Sequence, residues 1–341
     1  MKKLRIAING FGRIGRVFFR QAFDYGGIDI VAVNDLGDVE NLAYLLKYDT
    51  VYGKYERQVG SDKKQGKLVV DGKEIQFLQE KDPAKLPWKE SEIDVVIEST
   101  GFFEDYEKAS AHVTAGAKRV IISAPGKGKE GEAGVTVLMG LNEDRMVGCA
   151  VTSNASCTTN AASPVAAVMM ANPGVKKAML STVHAYTATQ KIVDSPDAKD
   201  WRRGRAGAQN IVPSTTGAAI SVGKALPELD GKFDGIAIRV PVSTGSLVDF
   251  TFVASRRTSV EEINDIFRKA AAEPRWKGIL ALTDEQLVSS DIIGNPHGSI
   301  VDTSFTKVID GDLVKVLAWY DNEWGYAATL LQHVIKAGKL L

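Results

Sequence analysis

Leu4-Arg5-Ile6-Ala7-Ile8-Asn9-Gly10-Phe11-Gly12-Arg13-Ile14-Gly15 is the stretch that decides the fold. Leu4 to Asn9 is largely apolar and ends at glycine, as a buried parallel strand does. Beyond the glycines, Ile14, Val17, Phe18 and Ala22 recur at helical spacing up to Tyr25, and Ile28 to Val33 is a second β-branched run. A strand, a glycine turn, a helix and a strand open a doubly wound parallel sheet. In that setting G-x-G-x-x-G has a mechanism. The glycines allow a tight turn, close approach of a pyrophosphate and close helix–strand packing, and the helix N-terminus receives the phosphates. Asp35 closes the second strand, where an acid binds ribose hydroxyls and repels a ribose phosphate, which favours NAD over NADP. Gly10, Gly12, Arg13, Ile14, Gly15 and Asp35 are the expected cofactor contacts.

Working outward, Ile93 to Glu98 and Arg119 to Ser123 read as further buried strands, and Lys67 to Val70 as a short one. The first two end at Ser99-Thr100-Gly101 and Ala124-Pro125-Gly126, and ligands of such sheets bind at the carboxyl ends of strands. After residue 157 the pattern changes. Lys177 to Ala185, Gly235 to Pro241, Leu247 to Ala254 and Leu313 to Tyr320 read as strands with mixed faces and long connections, a second domain of the α+β kind. Residues 186–216 are polar and irregular, with Arg202, Arg203 and Arg205 close together, and loops of that length tend to be functional.

Bulk properties narrow the classes. The 341 residues suit two domains, and 44% hydrophobic with 25% charged residues is ordinary for a globular protein. Lys+Arg and Asp+Glu are 42 each, so the chain lacks the basic excess of a nucleic-acid binder. No apolar run approaches the roughly 20 residues that span a bilayer. Met1-Lys2-Lys3 leads straight into a short strand without a signal-peptide core, so a cytoplasmic protein is expected. Two cysteines make no disulfide framework. The histidines at 112, 184, 297 and 333 lack metal-ligand spacing, so no metal is expected.

Ser153-Asn154-Ala155-Ser156-Cys157-Thr158-Thr159-Asn160 carries the chemistry. It sets a thiol at the start of an alanine-rich helix, where the macrodipole and unpaired N–H groups favour the nucleophilic thiolate. His184, ending a strand where the long loop begins, is the candidate partner. A Cys–His pair exchanges a proton, and the imidazolium can steady an oxyanion. Cys149 lies in an apolar run and reads as a core residue. Pro164 is expected to kink the helix or cost it one bond. Arg239 ends another apolar strand, either at an edge or aimed into a cleft. Ser214 to Ala219 is a hydroxyl–glycine turn before a helix, suited to an anion or to an ordinary N-cap.

Together these residues resemble the phosphorylating glyceraldehyde-3-phosphate dehydrogenase family, over essentially the whole chain. The resemblance covers Asn9–Arg16, Asn34-Asp35, Leu45-Lys47-Tyr48-Asp49, Glu98–Gly101, Ser123–Pro125, Ser153–Asn160, His184–Thr187, Ser214–Ala219, Arg239–Pro241 and Trp319–Tyr326. It implies a Rossmann-type NAD-binding domain at 1–156, with a C-terminal helix in 321–341 packing back on it, and a catalytic domain at 157–320. It implies that Cys157 attacks the aldehyde, that His184 activates the thiol, and that inorganic phosphate releases the acyl group. Thr187 and Arg239 match the holders of the substrate's phosphate. Ser156, Thr158, Thr216 and Gly217 match the site of the attacking phosphate. Thr100 and Ser123 line the cofactor, Asn322 orients the nicotinamide amide, and Tyr326 lies beside that ring. Leu36 and Pro196 match apolar positions of NAD-using members. The family is usually homotetrameric, and the resemblance implies no nucleic-acid or membrane partner.

Three stretches depart from the family's usual pattern. Ala161-Ala162-Ser163 lacks its second active-site cysteine, and Ala188-Thr189 and Val242–Gly245 replace its usual residues beside the substrate pocket. The nearest rival is the erythrose-4-phosphate dehydrogenase branch, towards which Asn295-Pro296-His297 and Asp321–Ala327 lean, while Thr187 keeps the triose-type contact.

Overall fold

A computed structural model describes residues 3–341; Met1 and Lys2, part of the N-terminus read above, lie outside the described residues. The chain forms two compact units. One holds the residues up to Val137 with Glu143–Ala155 and Leu330–Leu341, and the other holds Leu138–Asn142 and Ser156–Thr329.

The first unit is built on a nine-stranded sheet. Its order is Val135–Thr136, Val151–Ser153, Arg119–Ile122, Val95–Glu98, Leu4–Asn9, Ile28–Asn34, Lys73–Leu78, Lys67–Val70 and Val59–Asp62. The first seven run parallel and the last two pair antiparallel at the edge. The central strands are buried along their length, as near-continuous apolar runs require. Helix Arg13–Asp24 sets Val17, Phe18, Phe19 and Ala22 against the sheet. Each such large side chain contributes about 1.5–3 kcal/mol on burial. Register places Asn9 opposite both Asn34 and Glu98, so three strands end level at one edge. That edge is where the glycine turn sits.

The second unit carries a seven-stranded mixed sheet, ordered Val212–Thr215, Phe233–Val240, Val175–Ala185, Ser246–Ala254, Leu313–Tyr320, Ser299–Ile309 and Leu280–Thr283. Strand Ser246–Ala254 alternates strictly, with Val248, Phe250 and Phe252 buried. Helices Cys157–Ala171, Ala218–Ala225 and Val260–Ala271 pack against this sheet. Parallel pairing of Val175–Ala185 with Phe233–Val240 puts His184 opposite Arg239.

Several expectations meet differences. Residues 138–142 go with the second unit, because Leu138 N–H bonds Asn142 at 2.8 Å and Gly140 lies against Arg275 and Trp276. The terminal helix runs Trp324–Gly338. Its first residues, through Thr329, belong to the second unit, since Gly325 sits against the His297 carbonyl so closely that a Cβ would come within 2.6 Å of it. Helix Cys157–Ala171 runs through Pro164, so the proline costs a bond but not continuity. Burial of almost every residue from Thr158 to Val168 outweighs that loss. Strand Val212–Thr215 lies inside the stretch read as irregular, and strand Ser299–Ile309 was not anticipated.

Candidate active site

In the first unit the glycine turn forms a cradle. Gly10 has φ +95°, and a Cβ there would come within 2.6 Å of the Ser99 carbonyl carbon. A Cβ on Gly15 would meet the Gly10 carbonyl oxygen at 2.2 Å. Gly12, by contrast, faces open space, so its backbone is bare towards a ligand. It forms the N-cap of helix Arg13–Asp24 without any side-chain cap, which leaves a helix N-terminus suited to an anion. Asp35 accepts from Phe11 N–H at 2.7 Å and Gly37 N–H at 2.8 Å, which anchors its carboxylate beside the turn. A cavity of about 520 Å³ opens here, lined by Gly10, Gly12, Asp35, Leu36, Thr100 and Phe102 among others. Shape and donor set fit a dinucleotide. Ile14 is half-buried, Arg13 pairs with Asp49, and Ser123 N–H bonds the Glu98 carbonyl at 2.9 Å at the next strand end.

Glu98 organises the cavity floor, which the sequence reading did not single out. Its carboxylate accepts from Thr100 N–H at 2.8 Å, from the Thr100 hydroxyl and from Asn9. It also lies 3.1 Å from His112 Nε2, and Trp88 Nε1–H bonds His112 Nδ1 at 2.9 Å, so His112 turns its remaining N–H to Glu98.

In the second unit Cys157 is the first residue of its helix. Ser156 caps it by accepting from Thr159 N–H at 3.0 Å. Ala155 takes φ +54°, a left-handed conformation that costs a non-glycine residue about 1–2 kcal/mol. Cys157 Sγ stands 3.4 Å from His184 Nε2. His184 Nδ1 lies 2.6 Å from the Ala185 carbonyl, and its Nε2 faces the thiol. Arg239 Nη1 donates to the same carbonyl at 3.1 Å and lies 2.7 Å from Nδ1.

Burial and then the Arg239 cation push the His184 pKa down to about 3. Burial likewise pushes the Cys157 thiol up, against the pull of Arg239 and the Thr158 N–H. Cys157 is half-buried, and its thiol is densely surrounded by protein atoms. Burial thus opposes the ion pair that the helix position favours, while Arg239 and the Thr158 N–H pull the thiol towards thiolate. Among the described residues no carboxylate pairs with Arg239, and its buried Nε has no partner.

Thr187 N–H and hydroxyl lie 2.9 and 3.2 Å from Gln190 Oε1, and Thr187 is half-exposed just beyond Ala185. Thr216 accepts from Ala218 N–H at 3.2 Å, with Gly217 as the N-cap of helix Ala218–Ala225. Thr158 is buried, its hydroxyl 2.9 Å from that of Tyr320. Tyr320, also 2.8 Å from Thr182 and edge-on to His184, went unnoticed because an aromatic ending a strand carries no catalytic signature. Asn322 Oδ1 accepts from Gly245 N–H and Ser246, which fixes its amide face and leaves Nδ2 to a ligand carbonyl. Tyr326 is buried at the start of the terminal helix. Cys149 is buried, with its Sγ 3.1 Å from the Val151 carbonyl. Among the described residues no cluster is placed to hold a metal ion, and no helix is long and apolar enough to cross a membrane.

Comparison with known proteins places this geometry. Residues 4–106 match the glyceraldehyde 3-phosphate dehydrogenase NAD binding domain, and residues 156–322 match the C-terminal domain of the same name. The chain belongs to the glyceraldehyde-3-phosphate dehydrogenase family. It is similar to glyceraldehyde-3-phosphate dehydrogenase B of Aspergillus oryzae, at 48% identity over 98% of this chain and 99% of that one. It is 48% identical to the glyceraldehyde-3-phosphate dehydrogenase of Streptomyces coelicolor over 99% of each. It is 46% identical to glyceraldehyde-3-phosphate dehydrogenase 2 of Bacillus subtilis over 97% of each. The α/β architecture of a Rossmann-type NAD-binding domain followed by a mixed-sheet domain is that of this dehydrogenase family, and the glycine cradle lies within its NAD-binding match.

Proposed function

We propose that this chain is an NAD-dependent, phosphorylating dehydrogenase that converts glyceraldehyde 3-phosphate and inorganic phosphate into 1,3-bisphosphoglycerate. The carrying observation is Cys157 Sγ facing His184 Nε2 at 3.4 Å at the head of a helix. Gly10, Gly12, Arg13, Ile14, Gly15, Asp35, Thr100 and Ser123 hold NAD, with Asn322 and Tyr326 at its nicotinamide end. Bound NAD supplies the hydride acceptor.

His184 takes the thiol proton as Cys157 Sγ bonds the aldehyde carbon, giving a thiohemiacetal. The imidazolium so formed donates to the developing oxyanion. His184 then accepts the hydroxyl proton as the carbon is oxidised to a thioester on Cys157. Phosphate oxygen attacks that carbon, the C–S bond breaks, and Cys157 is restored. Thr187 and Arg239 bind the substrate's own phosphate, a reading supported by the buried, unpartnered Nε of Arg239 and by its lack of a carboxylate partner among the described residues. Ser156, Thr158, Thr216 and Gly217 bind the attacking phosphate. Because the Thr158 and Ser156 side chains are engaged inside the protein, their contribution is through backbone N–H groups.

The same reading takes residues 1–156 with the terminal helix as the cofactor domain and 157–320 as the catalytic one. It makes the protein a cytoplasmic homotetramer serving glycolysis or its reversal. NADH formation by the purified protein with NAD and the triose phosphate tests the assignment, with and without inorganic phosphate. Phosphate-dependent turnover is expected. Turnover indifferent to phosphate, or faster with erythrose 4-phosphate, refutes the substrate assignment.

A further inference from the structure

The terminal helix Trp324–Gly338 carries an imidazole that the chemistry above does not use. His333 is fully buried in the first unit, between two side chains of the segment that leads into the nucleophile. Its Nε2 lies 2.9 Å from the Thr152 hydroxyl, and its Nδ1 lies 3.1 Å from Asn154 Oδ1. One neutral tautomer satisfies both contacts: Nδ1–H donates to the amide oxygen, and Nε2 accepts from the hydroxyl. Burial first, and the Arg119 cation second, hold the ring neutral by pushing its pKa down to about 3.

Thr152 and Asn154 alternate with Ser153, which points the other way. The Ser153 hydroxyl donates to the Ala124 carbonyl at 2.6 Å and accepts from Gly126 and Ala155 N–H, each at 3.0 Å. Asn154 N–H adds a bond to the Ile122 carbonyl at 3.0 Å. The last residues of strand Val151–Ser153 and its exit are thus clamped from two sides. They must be, because the next residue is Ala155 at φ +54° and Cys157 starts its helix two residues later. A strained turn holds only where its surroundings over-determine it.

We propose that His333 is a positioning residue for the nucleophile: by fixing Thr152 and Asn154 it sets where the chain enters the turn and hence where Cys157 Sγ stands. The inference rests on the reading of Cys157 as the nucleophile.

The test uses the full chain with His333→Phe, which keeps ring bulk and removes both hydrogen-bonding nitrogens, and His333→Gln, which keeps a donor and an acceptor. The readout is the rate of Cys157 alkylation by iodoacetamide across pH without substrate, with the labelled cysteine assigned by mass spectrometry. kcat, KM and thermal melting are measured alongside. The Phe variant is expected to alkylate with a shifted pH midpoint and to lose about tenfold in kcat at unchanged KM, since small misplacements of reacting groups cost rate steeply. The Gln variant is expected to recover most of both. A Phe variant with the parent's alkylation profile and kcat overturns the proposal, even if it melts earlier, because a merely structural role moves only melting. If the Phe variant does not fold, Thr152→Val removes one contact at constant shape, and the same comparison decides. Alkylation reads the thiol without turnover, so a failure here is distinct from failure of the nucleophile reading, which Cys157→Ser addresses.

Discussion

The molecule makes the same junction twice, once in each kind of chemistry. At Asn9–Arg13 and at Ser153–Cys157 a buried parallel strand turns through one positive-φ residue into a helix N-terminus. In the first the turning residue is Gly10, the N-cap is an uncapped glycine, and what faces outward is bare backbone. In the second the turning residue is Ala155, Ser156 caps the helix internally, and what faces outward is a thiol. The difference teaches that topology supplies only the place. Whether a helix N-terminus holds a ligand's phosphates or presents a nucleophile is decided by two or three side chains at the turn.

The comparison breaks most sharply at Cys157. Cys157→Ser is expected to lower turnover by at least about a thousandfold. NAD binding, followed by calorimetry, should be unchanged, since the other junction holds it. Loss of both together would show that the two junctions are not separate devices. Next in size is Gly10→Ala, whose Cβ meets the Ser99 and Thr100 backbone at 2.6–2.7 Å and whose φ is +95°. It should cost about 1–3 kcal/mol of stability by denaturant unfolding and weaken NAD binding as well. Wild-type affinity would show that the cradle tolerates a side chain there. Asp35→Gly should narrow the preference for NAD over NADP by roughly tenfold in kcat/KM, about 1.4 kcal/mol. An unchanged ratio would remove Asp35 from the selectivity argument.

Acid should tell on the nucleophile junction in particular, since buried neutral imidazoles flank it on both sides. His184 and His333 keep a folded pKa near 3 against an ordinary 6.5. The unfolded chain takes up protons below about pH 6.5 that the folded chain refuses. The stability these two groups contribute is complete above that pH and is lost as pH falls towards 3. Melting followed over that window should decline less steeply in His333→Gln than in the parent. The smallest effect is Ala155→Gly, where relief of the left-handed strain is offset by added freedom of the unfolded chain. Stability should change by no more than about 1 kcal/mol, and a large loss would mean that the Ala155 methyl packs in a way that matters.

Much of this was legible in the residues. The first junction is written in glycines, and its helix, expected over Ile14–Tyr25, lies at Arg13–Asp24. The second is written in a cysteine ringed by hydroxyls, and its expected partner His184 is in contact. What stayed hidden has a common cause: it depends on neighbours distant in sequence. Strand Ser299–Ile309 is rich in polar residues, and Asp302 is buried there with Trp319 donating to it at 3.0 Å from the adjacent strand. Tyr320 and Glu98 look ordinary until their partners converge on them. At Cys157 the helix N-terminus that favours a thiolate is visible in sequence, while the desolvation that opposes it is not.

The first unit is assembled from separated parts of the chain, since residues 330–341 belong to it although residues 138–142 and 156–329 form the second. On a ribosome, that gives the unit a late closing step. Thr152 of strand Val151–Ser153 is synthesised 181 residues before His333. The second unit has every one of its residues available before the first can be completed. The last dozen residues thus act as a latch on an already translated scaffold. A chain ending at Thr329 should retain its mixed-sheet unit and carry an unfinished, protease-sensitive nucleotide-binding one.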